Sequence, residues 1–399
     1  MMKQYNFDEQ IDRSGTSAYK LELLDKIFGS TNVIPLWVAD MDFKTPDFIL
    51  QNIKNRCDSG VLGYTVQTCN YTNAIVKWLQ NKHDWAVHPS HIGFVPGVVT
   101  GLAIAINTFT QKGDKVLVQT PVYAPFLSLP VGNDRELIIN PLKIIDNKME
   151  IDFVDFEQKL ALGVRLFILC NPHNPGGRMW SRKDLIKIAE LCFQYNVLVI
   201  SDEIHADMAL WGGKHIPFAM VSPQAADNVI TLMAPSKTFN IPGLASSFYI
   251  AKNPSLRAKF QNSLDKLHLN SGNVFAYFST EIAYQNGKNW LEQMLHYVEQ
   301  NILFVDDFIK RNIPQIKVMI PEASFLVFLD CRNLGLPLEN IKDFMVTKAN
   351  LAMNDGASFG KGGEGFQRLN VGCSRVVLEK AMNQLKEAID ELKNKSKSI

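Results

Sequence analysis

Between about Thr45 and Asn286 the chain alternates two kinds of pattern. Short apolar runs occur at Lys115–Thr120, Leu137–Asn140, Arg165–Cys170, Val197–Ser201, Val229–Met233 and Ser247–Ala251. Between several of them, apolar positions recur at helical spacing. Ser181-Arg-Lys-Asp184 reads as a capping box, and Leu185, Ile188, Ala189 and Cys192 follow on one helix face. Strands alternating with helices predict an α/β fold, a mostly parallel sheet flanked by helices. After Gly287 the pattern changes. An amphipathic segment runs to about Asn312. A strand over Ser324–Asp330, a helix over Glu339–Ala349, a glycine-rich loop, a strand over Gln367–Gly372 and a last helix over Val376–Lys393 follow. At 399 residues the chain is too long for one ordinary core. We therefore expect a large domain over 46–287 and a smaller C-terminal α/β domain over 288–399. The N-terminal segment, 1–45, should pack with the small domain.

Charge and composition narrow the function. The 41 basic and 40 acidic residues leave a net charge of +1, too little to hold nucleic acid or an anionic membrane. The longest apolar stretch, Val98 to Phe109, is broken by Thr100, Gly101 and Asn107 and falls short of the roughly 20 residues a membrane span needs. The first ten residues contain no apolar run, so no secretory signal is expected. The six cysteines are scattered, which fits free thiols in a reducing cytoplasm. Small molecules and protein partners remain.

Ligands of such sheets bind beyond the carboxyl ends of the strands. Three polar clusters fall there: Asn171-Pro-His-Asn174-Pro, Asp202, and Ser236-Lys237. Alone, Lys237 could be a solvated surface group, Asp202 a structural ion pair or helix cap, and Asn174 an ordinary turn residue. Gly97-Val-Val-Thr-Gly101 opens a helix-like stretch whose free N–H groups could bind an anion, with hydroxyls from Thr100 and Ser236. Tyr123 follows a strand and could stack on a flat ligand, although core packing explains an isolated tyrosine as well. Arg375 offers a fork for a carboxylate, or is a surface arginine near the last helix. As a set, these residues meet the needs of pyridoxal 5'-phosphate: an amine, a carboxylate for the pyridine nitrogen, phosphate donors, a stacking ring and a charge for the substrate.

The constellation resembles the fold-type I pyridoxal-phosphate enzymes, the class I/II aminotransferase superfamily. Within it the chain looks most like the cystathionine β-lyase (C–S lyase) branch, the MalY/PatB family. The resemblance covers nearly the whole chain. It rests on Trp37-Val-Ala-Asp-Met-Asp-Phe43, Asn171-Pro-His-Asn-Pro-Gly-Gly-Arg178, Ser201-Asp-Glu-Ile-His-Ala-Asp207, the Ser236-Lys237 loop and Gly365-Phe-Gln-Arg-Leu-Asn-Val-Gly-Cys-Ser-Arg375. It implies that Lys237 carries the cofactor and that Asp202 pairs with its ring nitrogen. Asn174 would hold the ring oxygen, and Tyr123 would stack on the ring. Val98, Val99, Thr100 and Ser236 would hold the phosphate, with His205 also at the cofactor. Arg375 would bind the substrate carboxylate, with Val38 and Ala39 at the substrate. Tyr64 would reach the site of a partner subunit, which implies a homodimer with shared active sites. His205 stands where many aminotransferases have tyrosine, and Ala245 where many have a phosphate-binding arginine; both look like the lyase branch.

The implied activity is release of a thiol, pyruvate and ammonia from L-cystathionine and related cysteine S-conjugates. An aminotransferase is the nearest alternative, and a non-catalytic cofactor-binding regulator a more distant one. Gly356-Ala-Ser358-Phe-Gly360 formally matches a hydrolase nucleophile motif. More glycines follow it and no histidine does, so a loop explains it better. No metal site is expected: the closest histidines, His88 and His91, flank a proline.

Overall fold

The computed structural model describes residues 3–396. Its centre is a seven-stranded sheet in the spatial order Ile92–Val95, Ser247–Ile250, Val229–Met233, Leu198–Asp202, Val164–Cys170, Lys115–Thr120 and Glu136–Pro141. Ser247–Ile250 runs antiparallel to both neighbours, and the other adjacent pairs are parallel. Both faces are covered, so the inner strands are apolar throughout rather than alternating. Val229–Met233 is buried at every position. Helices Val98–Phe109 and Arg182–Gln194 are among the elements packed around the sheet, and the second opens on the Ser181–Asp184 capping box. Gly101 permits close approach of the first: a Cβ there would meet the Leu232 side chain at 3.0 Å.

The C-terminal part holds a four-stranded antiparallel sheet in the order Lys317–Met319, Leu326–Asp330, Phe366–Asn370 and Asn354–Asp355. Helices Lys288–Asn312 and Arg375–Ser396 pack on each other beside it. The N-terminal segment joins this part through a short parallel pairing of Ile34 with Leu351 and Pro35 with Ala352. Arg178, from the asparagine–proline motif, binds both carboxylate oxygens of Glu322 at 2.6 and 2.7 Å and so ties the large sheet's loops to the small sheet. Its role is structural.

The segment Trp37–Phe43 is held from two sides. Asn370 donates to the carbonyls of Val38 and Asp40 at 2.6 Å each. Asn240, three residues beyond Lys237, accepts from the Met41 N–H and donates to the Met41 and Phe43 carbonyls. The small sheet and the lysine loop thus fix this stretch between them. Among the described residues no helix is long and apolar enough to cross a membrane.

Candidate active site

The carboxyl ends of Lys115–Thr120, Val164–Cys170, Leu198–Asp202 and Val229–Met233 open on a cavity of about 190 Å³. Lys237, Asp202, Asn174, Tyr123, Val98, Val99, Thr100, Ser236, His205 and Ala39 all line it. Residues spread over some 200 positions of sequence therefore share one wall, because parallel strands bring all their carboxyl ends to one edge.

At one end of the cavity the helix Val98–Phe109 begins. Gly97 caps it at φ 120°, a conformation that a side chain disfavours. Gly101 is the first residue to close a helical turn, onto Gly97, so the N–H groups of Val98, Val99 and Thr100 have no intrahelical acceptor. With Ser236, Ser246 and Ser247 nearby, this end suits an anion. Ala245, at φ 49°, adds no charge there.

The same wall holds Asp202, which is buried, and Lys237, which is partly buried. Asp202 accepts the Ile204 N–H at 3.0 Å and forms no ion pair among the described residues. Burial raises its carboxyl to about 7. Lys237 donates from Nζ to the Ala39 carbonyl at 2.6 Å. Burial, helped by the positive charge of Arg368, lowers its amine to about 8. Both shifts have one main cause, the cost of keeping charge out of water. Burial likewise lowers His205 to about 3, so its ring is neutral, and raises the Tyr123 phenol. The Tyr123 N–H donates to the Asn174 carbonyl at 3.1 Å, which fixes the two residues together.

Three expected site residues lie elsewhere. Val38 lines a neighbouring cavity, beside Ala39. Tyr64 is fully exposed in an irregular stretch. Arg375 is turned away: its Nε donates to Asn301 Oδ1 at 3.0 Å and its guanidinium lies 4.6 Å from the Phe304 ring. Being the first residue of the last helix, it packs on the helix Lys288–Asn312, and it lines neither cavity.

Arg368 lines neither cavity either, but it stands directly behind the wall, bonded to Asn174. It is buried on the strand Phe366–Asn370 and donates from Nη1 to Asn174 Oδ1 at 3.1 Å. Nη2 binds the Trp37 carbonyl and Asn354 Oδ1, and Nε has no partner. Burial lowers it to about 10, and no carboxylate pairs with it among the described residues. A charge in the middle of a buried strand needs compensation. That requirement is the sequence signal for Arg368, whereas Arg375 stands out only by its place at a strand-to-helix junction.

Ser358 sits in a short 3-10 turn and donates to the Asp355 carbonyl at 2.6 Å, which suits a structural turn and no nucleophile elbow. Among the described residues no group of three or more His, Cys, Asp or Glu side chains is placed to hold a metal ion.

The sequence profile described as aminotransferase class I and II matches residues 31–385. The chain belongs to this family. Within it, the cystathionine β-lyase PatB of Bacillus subtilis is 44% identical over 96% of this chain and 100% of its own length. Protein MalY of Escherichia coli is 31% identical over 96% and 99%. The crystal structure of cystalysin from Treponema denticola, which contains pyridoxal 5'-phosphate, superimposes with a TM-score of 0.95 at 34% identity, covering 98% of this chain and all of that one.

The family's cofactor is pyridoxal phosphate, and the cavity fits it. The unpaired helix N–H groups suit the phosphate. A buried carboxylate without an ion pair suits a protonated ring nitrogen. Asn174, whose Oδ1 is taken by Arg368, keeps its amide N–H groups for the ring oxygen.

Proposed function

We propose that this protein is a pyridoxal-phosphate-dependent carbon–sulfur β-lyase. It acts on L-cystathionine and related cysteine S-conjugates and yields a thiol, pyruvate and ammonia. The observation that carries the reading is the convergence of Lys237, Asp202, Asn174 and Tyr123 on one cavity that begins at a helix N-terminus. The names of PatB and of the C–S lyase from Staphylococcus hominis, 34% identical with a TM-score of 0.91, support the lyase chemistry.

Bound pyridoxal phosphate supplies an electron sink conjugated to the substrate's amino group. The protein's own groups do the rest. Asp202 would hold the ring nitrogen protonated by offering it a buried carboxylate, and that positive neighbour would return Asp202 to its charged form. The Arg368 fork receives the substrate carboxylate and, through Asn174, aligns it with the ring. Lys237, with its amine lowered to about 8, has a neutral fraction near neutral pH and takes the Cα proton. The Cβ–S bond then breaks with the electron pair leaving on sulfur. The proton held by Lys237, or that of the partly buried Tyr123 phenol, goes to the thiolate. Water hydrolyses the released enamine to pyruvate and ammonia.

The test is to incubate the loaded protein with L-cystathionine and no keto-acid acceptor. Equal amounts of pyruvate and free thiol are expected. Amino transfer to an added keto acid without pyruvate release would make it an aminotransferase instead.

We further propose a cytoplasmic homodimer with shared sites. Six free cysteines support the compartment. The exposed run Val61, Leu62, Tyr64 and Val66 supports the dimer, since one contiguous apolar strip on a surface is a contact site. Tyr64→Ala and Lys237→Ala subunits should each be poorly active alone and regain activity when mixed and re-paired. A mixed dimer holds one site with both residues intact. No recovery on mixing, or a solution mass equal to the 45.0 kDa chain, would refute the shared site.

A further inference from the structure

A second cavity, of about 720 Å³, adjoins the first and shares Ala39, Lys237 and Pro242 with it. Ile11, Tyr19, Leu50 and Ile53 give it apolar walls, and Arg13, Asp40 and Asp42 give it a charged one. The charged wall is an unevenly satisfied network. Lys20, almost wholly buried, donates to both oxygens of Asp42 at 2.9 and 2.8 Å. Arg13 donates from Nη1 to Asp42 Oδ1 at 3.1 Å and from Nη2 to Asp40 Oδ2 at 2.7 Å. These bonds leave other N–H groups of its five-donor fork for a ligand. Asp40 Oδ1 is buried and has no hydrogen-bond partner; the Lys20 Nζ stands 4.0 Å away.

The position of this network gives it a purpose. Asp40 follows Ala39, whose carbonyl holds Lys237 Nζ. The side chain of a substrate bound at Lys237 therefore meets this wall within a few bonds. The network of Arg13, Lys20, Asp40 and Asp42 is neutral as a whole, and Lys44, also on the lining, is paired with Asp47 at 3.3 Å. A tail with one charge would gain from one partner and be repelled by the other. A tail carrying both an ammonium and a carboxylate satisfies the free Asp40 oxygen and the Arg13 fork together.

We infer that the second cavity receives the departing half of the substrate and selects thiols that carry their own amino-acid head, with the ammonium on Asp40 and the carboxylate on Arg13. This rests on the lyase reading above. L-Cystathionine and L-cystine belong to the favoured class; S-alkyl cysteines, with the same reacting end, do not.

The experiment compares kcat/KM for L-cystathionine and S-ethyl-L-cysteine in the loaded enzyme, counting active sites by cofactor absorbance. The wild-type protein is expected to favour L-cystathionine. Arg13→Gln should shrink that ratio by about tenfold or more, the loss expected of one hydrogen-bonded charge contact. Arg13→Lys, which keeps charge without the fork, should fall between. A ratio unchanged within twofold in both variants would overturn the inference. So would equal kcat/KM for the two substrates in the wild-type protein, a result that needs no variant to fold. Pyruvate from neither substrate would instead remove the lyase reading on which this one stands.

Discussion

Replacing Lys237 by alanine is expected to lower pyruvate release by on the order of 10,000-fold and to abolish the visible absorbance of the lysine-linked cofactor. Two functions are lost with one nitrogen, the attachment point and the base. The rest of the cavity stays, so the variant should still hold the cofactor without a covalent link, through Asp202, Asn174 and the helix N-terminus. Gel filtration with added cofactor would show it travelling with the protein. Stability should respond in the other direction. The folded amine, at about 8, lies below its ordinary 10.5, so the unfolded chain binds a proton more readily. In the cofactor-free wild-type protein this costs stability at pH 7, and the cost is relieved as pH rises from about 8 to 10.5. The stripped alanine variant lacks that slope, and its melting temperature at pH 7 should equal or exceed that of the stripped wild type. Retained pyruvate release in a variant freed of wild-type contamination would remove Lys237 from the mechanism.

Much of the large sheet is legible in the sequence for one physical reason. Strands buried on both faces read as continuous apolar runs, and five of the seven stand out that way, while the edge strand Glu136–Pro141, buried at alternate positions, shows only a short apolar run. The seventh, Ile92–Val95, contains Gly93 and runs through Pro96 and Gly97 into the apolar helix that follows, so its signal merges with that helix. The direction of Ser247–Ile250 is not written in its own residues, since an apolar run reads alike both ways. The strand-end polar residues are legible because a carboxylate or an amine is conspicuous at the end of such a run.

What the sequence hides are groups brought together by packing between distant parts. Arg13 and Asp40 are 27 residues apart and meet only when the N-terminal segment folds back over the cavity mouth. Arg368 and Asn174 are 194 apart, one on the small sheet and the other in the loop after a strand of the large sheet. Arg375 illustrates the converse. Its place at a strand-to-helix junction looks functional, yet helix geometry turns the side chain toward Asn301 and Phe304.

Those two arginines give the second large prediction. Arg368→Ala should reduce kcat/KM by roughly 30- to 5,000-fold, the range that corresponds to the about 2–5 kcal/mol lost on truncating one partner of a buried charge pair. Arg368→Lys should recover only part of it, because an ammonium cannot make the paired bonds of a guanidinium. Arg375→Ala should change kcat/KM by less than about threefold. Its cost should appear in stability, about 1–2 kcal/mol for the hydrogen bond to Asn301 and the ring contact with Phe304. Arg368 also braces Trp37 and Asn354, so its variants must be compared per cofactor-loaded site rather than per mass of protein. The comparison is sharpest with a substrate lacking the α-carboxylate. Arg368→Ala should cost such an amine little beyond what the wild type already loses, since the fork has nothing to bind. Equal losses with and without the carboxylate would make Arg368 a brace for Asn174 alone. A large loss in Arg375→Ala would return the carboxylate to the arginine that the structure turns away.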